Sequence, residues 1–127
     1  MIMAWGGTLN LILFLISMLG LGYYAFLTVL SPNTIVTRYD LGEKSVPIIR
    51  IVGTFVLPLL IIGVYLIFRG PEGAWIFLIL NFLISTCQVI LGWATRLKII
   101  DPDSKQDVGD EIVGHVFVII AIILIYR

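Results

Sequence analysis

RIVGTFVLPLLIIGVYLIFRGPEGAWIFLILNFLISTCQVILGWATR, residues 50–96, decides the fold. It consists of two apolar runs joined by Arg69-Gly70-Pro71-Glu72-Gly73. An α-helix needs about 17–25 apolar residues to cross a hydrocarbon core of about 30 Å. The eighteen residues between Arg50 and Arg69 rise about 27 Å at 1.5 Å per residue. A connector this tight calls for an antiparallel hairpin. Pro58 removes one backbone donor from the first run and clashes with the Thr54 carbonyl, so a kink is expected there. A bilayer tolerates such a proline when neighbours satisfy the freed group.

The flanking sequence has the same character. Of 127 residues, 60% are hydrophobic and 13% charged, and the mean hydropathy is +1.11. A soluble domain is about 45–50% apolar and about 25% charged. A further apolar run, residues 5–30, lies inside a stretch without charge from Met1 to Thr37. It has no basic leader and no small-residue cleavage site, and it is too long for a signal peptide. It reads as a retained helix that stops at Ser31-Pro32, since the residue before proline is pushed out of the helical region. The last run, residues 112–126, is short, at about 22 Å. It must thin the bilayer, begin earlier near Val108, or be covered by a partner. The expectation is an all-α, integral-membrane four-helix bundle, one domain over residues 1–127, with helices at 5–30, 51–68, 74–95 and 112–126.

Charge sets an expected orientation. Arg38, Lys44, Arg50, Arg96, Lys98 and Lys105 fall in or beside the two longer loops, against Arg69 and Arg127 on the other side. Basic residues favour the cytoplasmic face, which places both termini outside a plasma or inner membrane. Trp5, Trp75 and Tyr126 would share the outer interface, and Trp93 the inner one. Eight basic and eight acidic residues cancel, so no footprint for nucleic acid exists. The single cysteine, Cys87, excludes an internal disulfide. DPDSKQD, residues 101–107, carries strong turn chemistry.

Inside the third run, Asn81, Ser85, Gln88 and Gly92 recur at intervals that place them on one helix face. Asn10, Ser17, Tyr24 and Thr28 form a weaker companion on the first helix, and Arg50, Thr54 and Tyr65 on the second. Polar side chains in lipid favour protein neighbours, so this seam should face the interior, with Phe82 and Ile90 turned to lipid. It is either interhelical glue or, if the helices splay, the lining of a site for a lipid-like or quinone-like ligand. A second cluster, Arg50, Arg96, Asp110, Glu111 and His115, gathers at the cytoplasmic end. Acids at a helix N-terminus complement its dipole, and with Arg50 or Arg96 they would make a structural ring of ion pairs. Alternatively, His115 handles a proton or serves as an axial ligand.

Other chemistries find no support in the residues. No Cys-x-x-Cys, no Ser/His/Asp set at one depth and no glycine-rich phosphate loop occurs. One histidine and one cysteine build no metal cluster. The four-helix drug exporters depend on a carboxylate buried in the first helix, which has none here. Intramembrane ionisable residues mark ion pathways, and their lack counts against a coupled transporter. No catalytic residue and no cofactor is expected.

The layout nevertheless resembles a known group. LSPNTIVTRYDLG (residues 30–42) follows a charge-free first helix, and RIVGTFVLPLLIIG (residues 50–63) opens the second with Arg-x-x-Gly. A tight hairpin, a third helix and a polar loop before a fourth complete a pattern similar to the small DoxX-like and related four-helix membrane proteins. That group takes its name from a small subunit of a quinone-linked respiratory oxidoreductase. The resemblance implies the architecture and an accessory role, and no catalytic residue. The leading expectation is therefore a non-catalytic accessory subunit of a larger membrane complex, packing through its helices and through lipid or pigment contacts. A quinone- or lipid-binding subunit and a homo-oligomeric channel or carrier are the alternatives.

Overall fold

The computed structural model describes residues 1–100, 103 and 108–127. Most of DPDSKQD, Lys105 included, lies outside the described residues. Among the described residues the chain forms five α-helices: α1 (Thr8–Val29), α2 (Pro32–Tyr39), α3 (Val46–Arg69), α4 (Trp75–Arg96) and α5 (Val108–Tyr126). All but α2 are long and apolar enough to cross a membrane. The chain is a multi-pass helical membrane protein with four such helices and a fifth, short one.

Two prolines explain where the helices depart from expectation. Pro32 ends α1 and then opens α2, because a residue with no N–H costs nothing in the first turn of a helix. Pro47 stands likewise in the first turn of α3, which therefore begins at Val46 and carries Arg50 inside the helix. α3 continues without interruption through Pro58. α5 begins at Val108, and its nineteen residues span about 28 Å. The short fourth helix thus needs no covering partner to reach across a bilayer.

The helices stand side by side out of sequence order. α1 runs against α3 in the opposite direction, with Thr28 and Val29 beside Gly53, Met18 beside Gly63 and Ala4 beside Gly70. α4 and α5 are likewise antiparallel, Val89 meeting Gly114 and Arg96 meeting Glu111. The two pairs join through α1 and α5, where Phe117 lays its ring on Gly20. α3 and α4, though consecutive and antiparallel, do not pack along their lengths. In lipid the helices gain from close approach rather than from expelling water. Glycines opposite side chains occur along α1–α3, α1–α5 and α4–α5, and these are the contacts that form. The helices make an arc in the order α3, α1, α5, α4.

Both termini and the 70–74 connector meet at one end, which is closed. Gly6 and Gly7, at φ +70° and +135°, turn the chain so that Trp5 folds under α1. Its indole stacks on Phe14 with ring centroids 4.2 Å apart, and Phe14 meets Phe77 edge-on at 6.4 Å. Such aromatic pairs contribute about 0.5–1.5 kcal/mol each beyond area. Leu11, Met18, Leu66, Leu78, Ile120 and Leu124 complete the cluster. Trp5 is fully buried and donates through Nε1 to the Ile67 carbonyl at 3.4 Å. It is therefore a core residue and not part of an interfacial belt, whereas Trp75 and Tyr126 at the same end are exposed. The Arg127 guanidinium lies over both Trp5 and Trp75, at 5.9 and 5.4 Å. Partial burial pulls its pKa down from the ordinary value, but a guanidinium stays charged in proteins.

A Cβ on Gly53 would lie 2.5 Å from Val29 Cγ2 and 2.7 Å from Thr28 Oγ1. Thr28 has little room to yield, since it is buried and its hydroxyl donates to the Tyr24 and Ala25 carbonyls. Gly53→Ala should therefore cost about 1–3 kcal/mol. Gly22→Ala, whose nearest neighbour is 3.7 Å away, should be neutral. Unfolding midpoints of the two variants in mixed micelles check this.

Candidate functional site

The arc encloses a cavity of about 780 Å³. Asn81, Ser85, Gln88, Gly92 and Thr95 form its α4 wall, and Ser17, Met18, Leu21 and Tyr24 its α1 wall. α3 contributes Val52, Phe55, Val56 and Leu59, and α5 contributes Gly114, Phe117 and Ala121. Because α3 and α4 both line the cavity without packing on each other, it opens sideways between them as a cleft.

The seam expected on the third long helix lies wholly on this cleft. Among the described residues, no seam side chain hydrogen-bonds to another helix. Asn81 Nδ2 donates to the Phe77 carbonyl of its own helix at 2.9 Å. Ser85 and Gln88 have no hydrogen-bond partner among the described residues. The threonines behave differently. Thr28, Thr54, Thr86 and Thr95 all donate to carbonyls three or four residues back. The cause is the rotation of α4. Val89, Trp93 and Arg96 carry its contacts with α5, and the seam at 81, 85, 88 and 92 lies about 100° away, one residue behind on the helix. Ile90 is exposed, as expected, while Phe82 is half-buried.

The companion stripes divide. Ser17 and Tyr24 reach the cleft, whereas Asn10 donates to the Trp5 carbonyl at 3.0 Å. The polar residues of α3 miss it altogether. Thr54 bonds to the Ile51 carbonyl and is exposed, as are Arg50 and Tyr65.

The loop end of the arc carries charge, in one pair that was expected and one that was not. Arg96 Nη1 reaches both carboxylate oxygens of Glu111, at 3.0 and 3.3 Å. Asp110 pairs at 3.7 Å with Arg38 rather than with Arg50 or Arg96. Arg50 shares the outer face of α3 with Thr54, Leu57 and Ile61, so it stays out of the cluster. Arg38 takes its place because α2 brings it back over the mouth of the cleft.

His115 is engaged at both ring nitrogens. Trp93 Nε1 donates to Nε2 at 3.1 Å, which leaves Nδ1 to donate to the Glu111 carbonyl at 2.7 Å. Axial ligation through Nε2 would forfeit the Trp93 bond, and this geometry makes His115 a clasp between α4 and α5. Among the described residues no group of three or more His, Cys, Asp or Glu side chains is placed to hold a metal ion.

No family model, curated protein or solved structure matches the chain. The likeness to the DoxX-like group therefore rests on layout. Arg38 and Tyr39, both on the cleft wall, were missed among the sequence candidates. The signal was Ser31-Pro32, which marks a helix start as well as a stop.

Replacing an unpartnered side chain should cost little. Gln88→Leu is expected to leave the unfolding midpoint unchanged or raise it. A loss of about 1–2 kcal/mol, the size of an interhelical hydrogen bond in model peptides, would show instead that Gln88 is bonded across the bundle.

Proposed function

We propose that the chain is a membrane-embedded binder of a lipid-like or quinone-like molecule, held in the lateral cleft. The observation that carries this is a row of polar side chains on one wall of a cavity of about 780 Å³, of which Ser85 and Gln88 have no hydrogen-bond partner among the described residues and Asn81 bonds only within its own helix. Ligand sites commonly span about 300–1,000 Å³, with mostly apolar walls and a few placed polar groups. Ser85 is half-buried and Gln88 is exposed on the cleft. A polar group left without a hydrogen bond in an apolar medium costs roughly 2–7 kcal/mol, so an occupant that hydrogen-bonds to Ser85 and Gln88 is favoured. The excess of Arg and Lys at the loop end supports a cytoplasmic position for that end and an outer position for both termini.

A second reading, the accessory subunit of a larger membrane complex, draws on α4. Only 11% of its apolar window is buried within the chain, against 28% for α1. Ile76 and Ile90 offer an outer face to a neighbouring subunit.

The test is purification from native membranes through an epitope tag in a gentle detergent, with mass spectrometry of proteins and lipids together. One small amphiphile should be enriched over the bulk membrane, and Ser85→Phe, which fills the cleft, should abolish the enrichment. A lipid profile identical to the bulk would overturn the proposal. A stoichiometric large partner without an enriched amphiphile would shift the conclusion to the accessory role.

A further inference from the structure

We infer that the cleft takes a single-chain amphiphile with an uncharged, hydrogen-bonding head, seated with the head toward the loop end and admitted sideways between α3 and α4. This rests on reading the cleft as a ligand site.

Polarity along the cleft sets the direction. Asn81 to Gln88 is a rise of about 10.5 Å along α4. Beyond Gln88 toward the loop end come Thr95 of the same helix and Tyr24, Tyr39 and Arg38 opposite. Beyond Asn81 toward the closed end the wall is Phe14, Leu78, Ala121 and Leu124. A head is satisfied at the first end and a hydrocarbon tail at the second.

The charges select the head. The charged side chains of the cleft wall are Arg38, Asp110 and Glu111, and each has an opposite partner, Arg38 with Asp110 and Glu111 with Arg96. An anionic head would have to take Arg38 from Asp110 with Glu111 close by, and a cationic head would have to displace an arginine. What stands free is neutral: the Ser85 hydroxyl, the Gln88 amide and, with Nδ2 on the Phe77 carbonyl, Oδ1 of Asn81. This set both donates and accepts, which fits a head that carries hydroxyl and carbonyl groups. The volume matches one drug-sized molecule, hence one chain and a small head rather than a two-chain phospholipid.

Access is lateral. The Trp5 cluster closes one end, and Phe117 on Gly20 shuts the side between α1 and α5. The gap between α3 and α4 has no such contact.

The experiment places the full chain in phosphatidylcholine nanodiscs and compares two photoreactive probes. One is a monoacylglycerol with a diazirine near the end of its chain. The other is lysophosphatidic acid with the same chain. Cross-linked residues are identified by mass spectrometry. The neutral probe should label the cleft at least about fivefold more than the anionic one, a difference near 1 kcal/mol, with label concentrated around Leu78 and Leu124. Gln88→Leu combined with Ser85→Ala should bring the ratio close to one, in protein that still elutes as a single species with unchanged helicity. Equal or anionic-favoured labelling of the cleft would overturn the neutral head while leaving the cleft a ligand site. Label concentrated near Tyr39 and Thr95 would overturn the direction. Folded protein with no cleft label from either probe would overturn both this inference and the reading beneath it.

Discussion

Trp5 stands where the transmembrane helices converge, and the rest of the arrangement depends on how it is held. Hydrocarbon surrounds this chain, so its helices gain nothing from leaving water and must be held by contact. The aromatic stack of Trp5, Phe14 and Phe77 supplies that contact at one end, and a carbonyl of α3 fixes the indole. With one end secured, the two antiparallel pairs meet through α1 and α5 while α3 and α4 stay apart. The cavity is the space between those pairs.

The two faces of α4 divide the labour. One stripe, Val89, Trp93 and Arg96, binds α5 through a glycine contact, an indole–imidazole hydrogen bond and an ion pair. The neighbouring stripe keeps its amides and hydroxyls for the cleft. A helix that used its polar residues for both purposes would have closed the space. Charge is arranged to the same effect, with each acid on the cleft wall held by an arginine, so that the interior stays polar without being charged.

Much of this was legible in the residues. The apolar runs announced four long helices, because the length needed to cross hydrocarbon is a hard physical limit. The spacing of Asn81, Ser85 and Gln88 placed them on one face, since helical periodicity is local. What they face was not legible, because that depends on which helix packs against which. The tight 70–74 connector made α3 and α4 antiparallel but did not say whether they pack, and the close contacts at Gly53 and Gly20 join α3 and α5 to α1 instead. Arg50 looked like a helix boundary because charge is rare in such a chain, and the proline that truly marks the start of α3 lies three residues earlier. Trp5 looked interfacial for the same compositional reason, and the Gly6-Gly7 turn tucked it inside.

The contact between Gly20 and Phe117 also has a temporal meaning. α1 and α3 are separated only by a short helix and its turns, and α4 and α5 only by residues 97–107, so each pair can form from neighbouring parts of the chain. The α1–α5 contact between Gly20 and Phe117 closes a loop of about three-quarters of the sequence, and long loops carry the larger closure entropy. Closure entropy alone therefore favours the two antiparallel pairs over the docking of α5 on α1 as the earlier contacts. The cleft has no existence before that docking, since its walls belong to different pairs. A chain halted before α5 would hold every seam residue and still have no cavity for them to line.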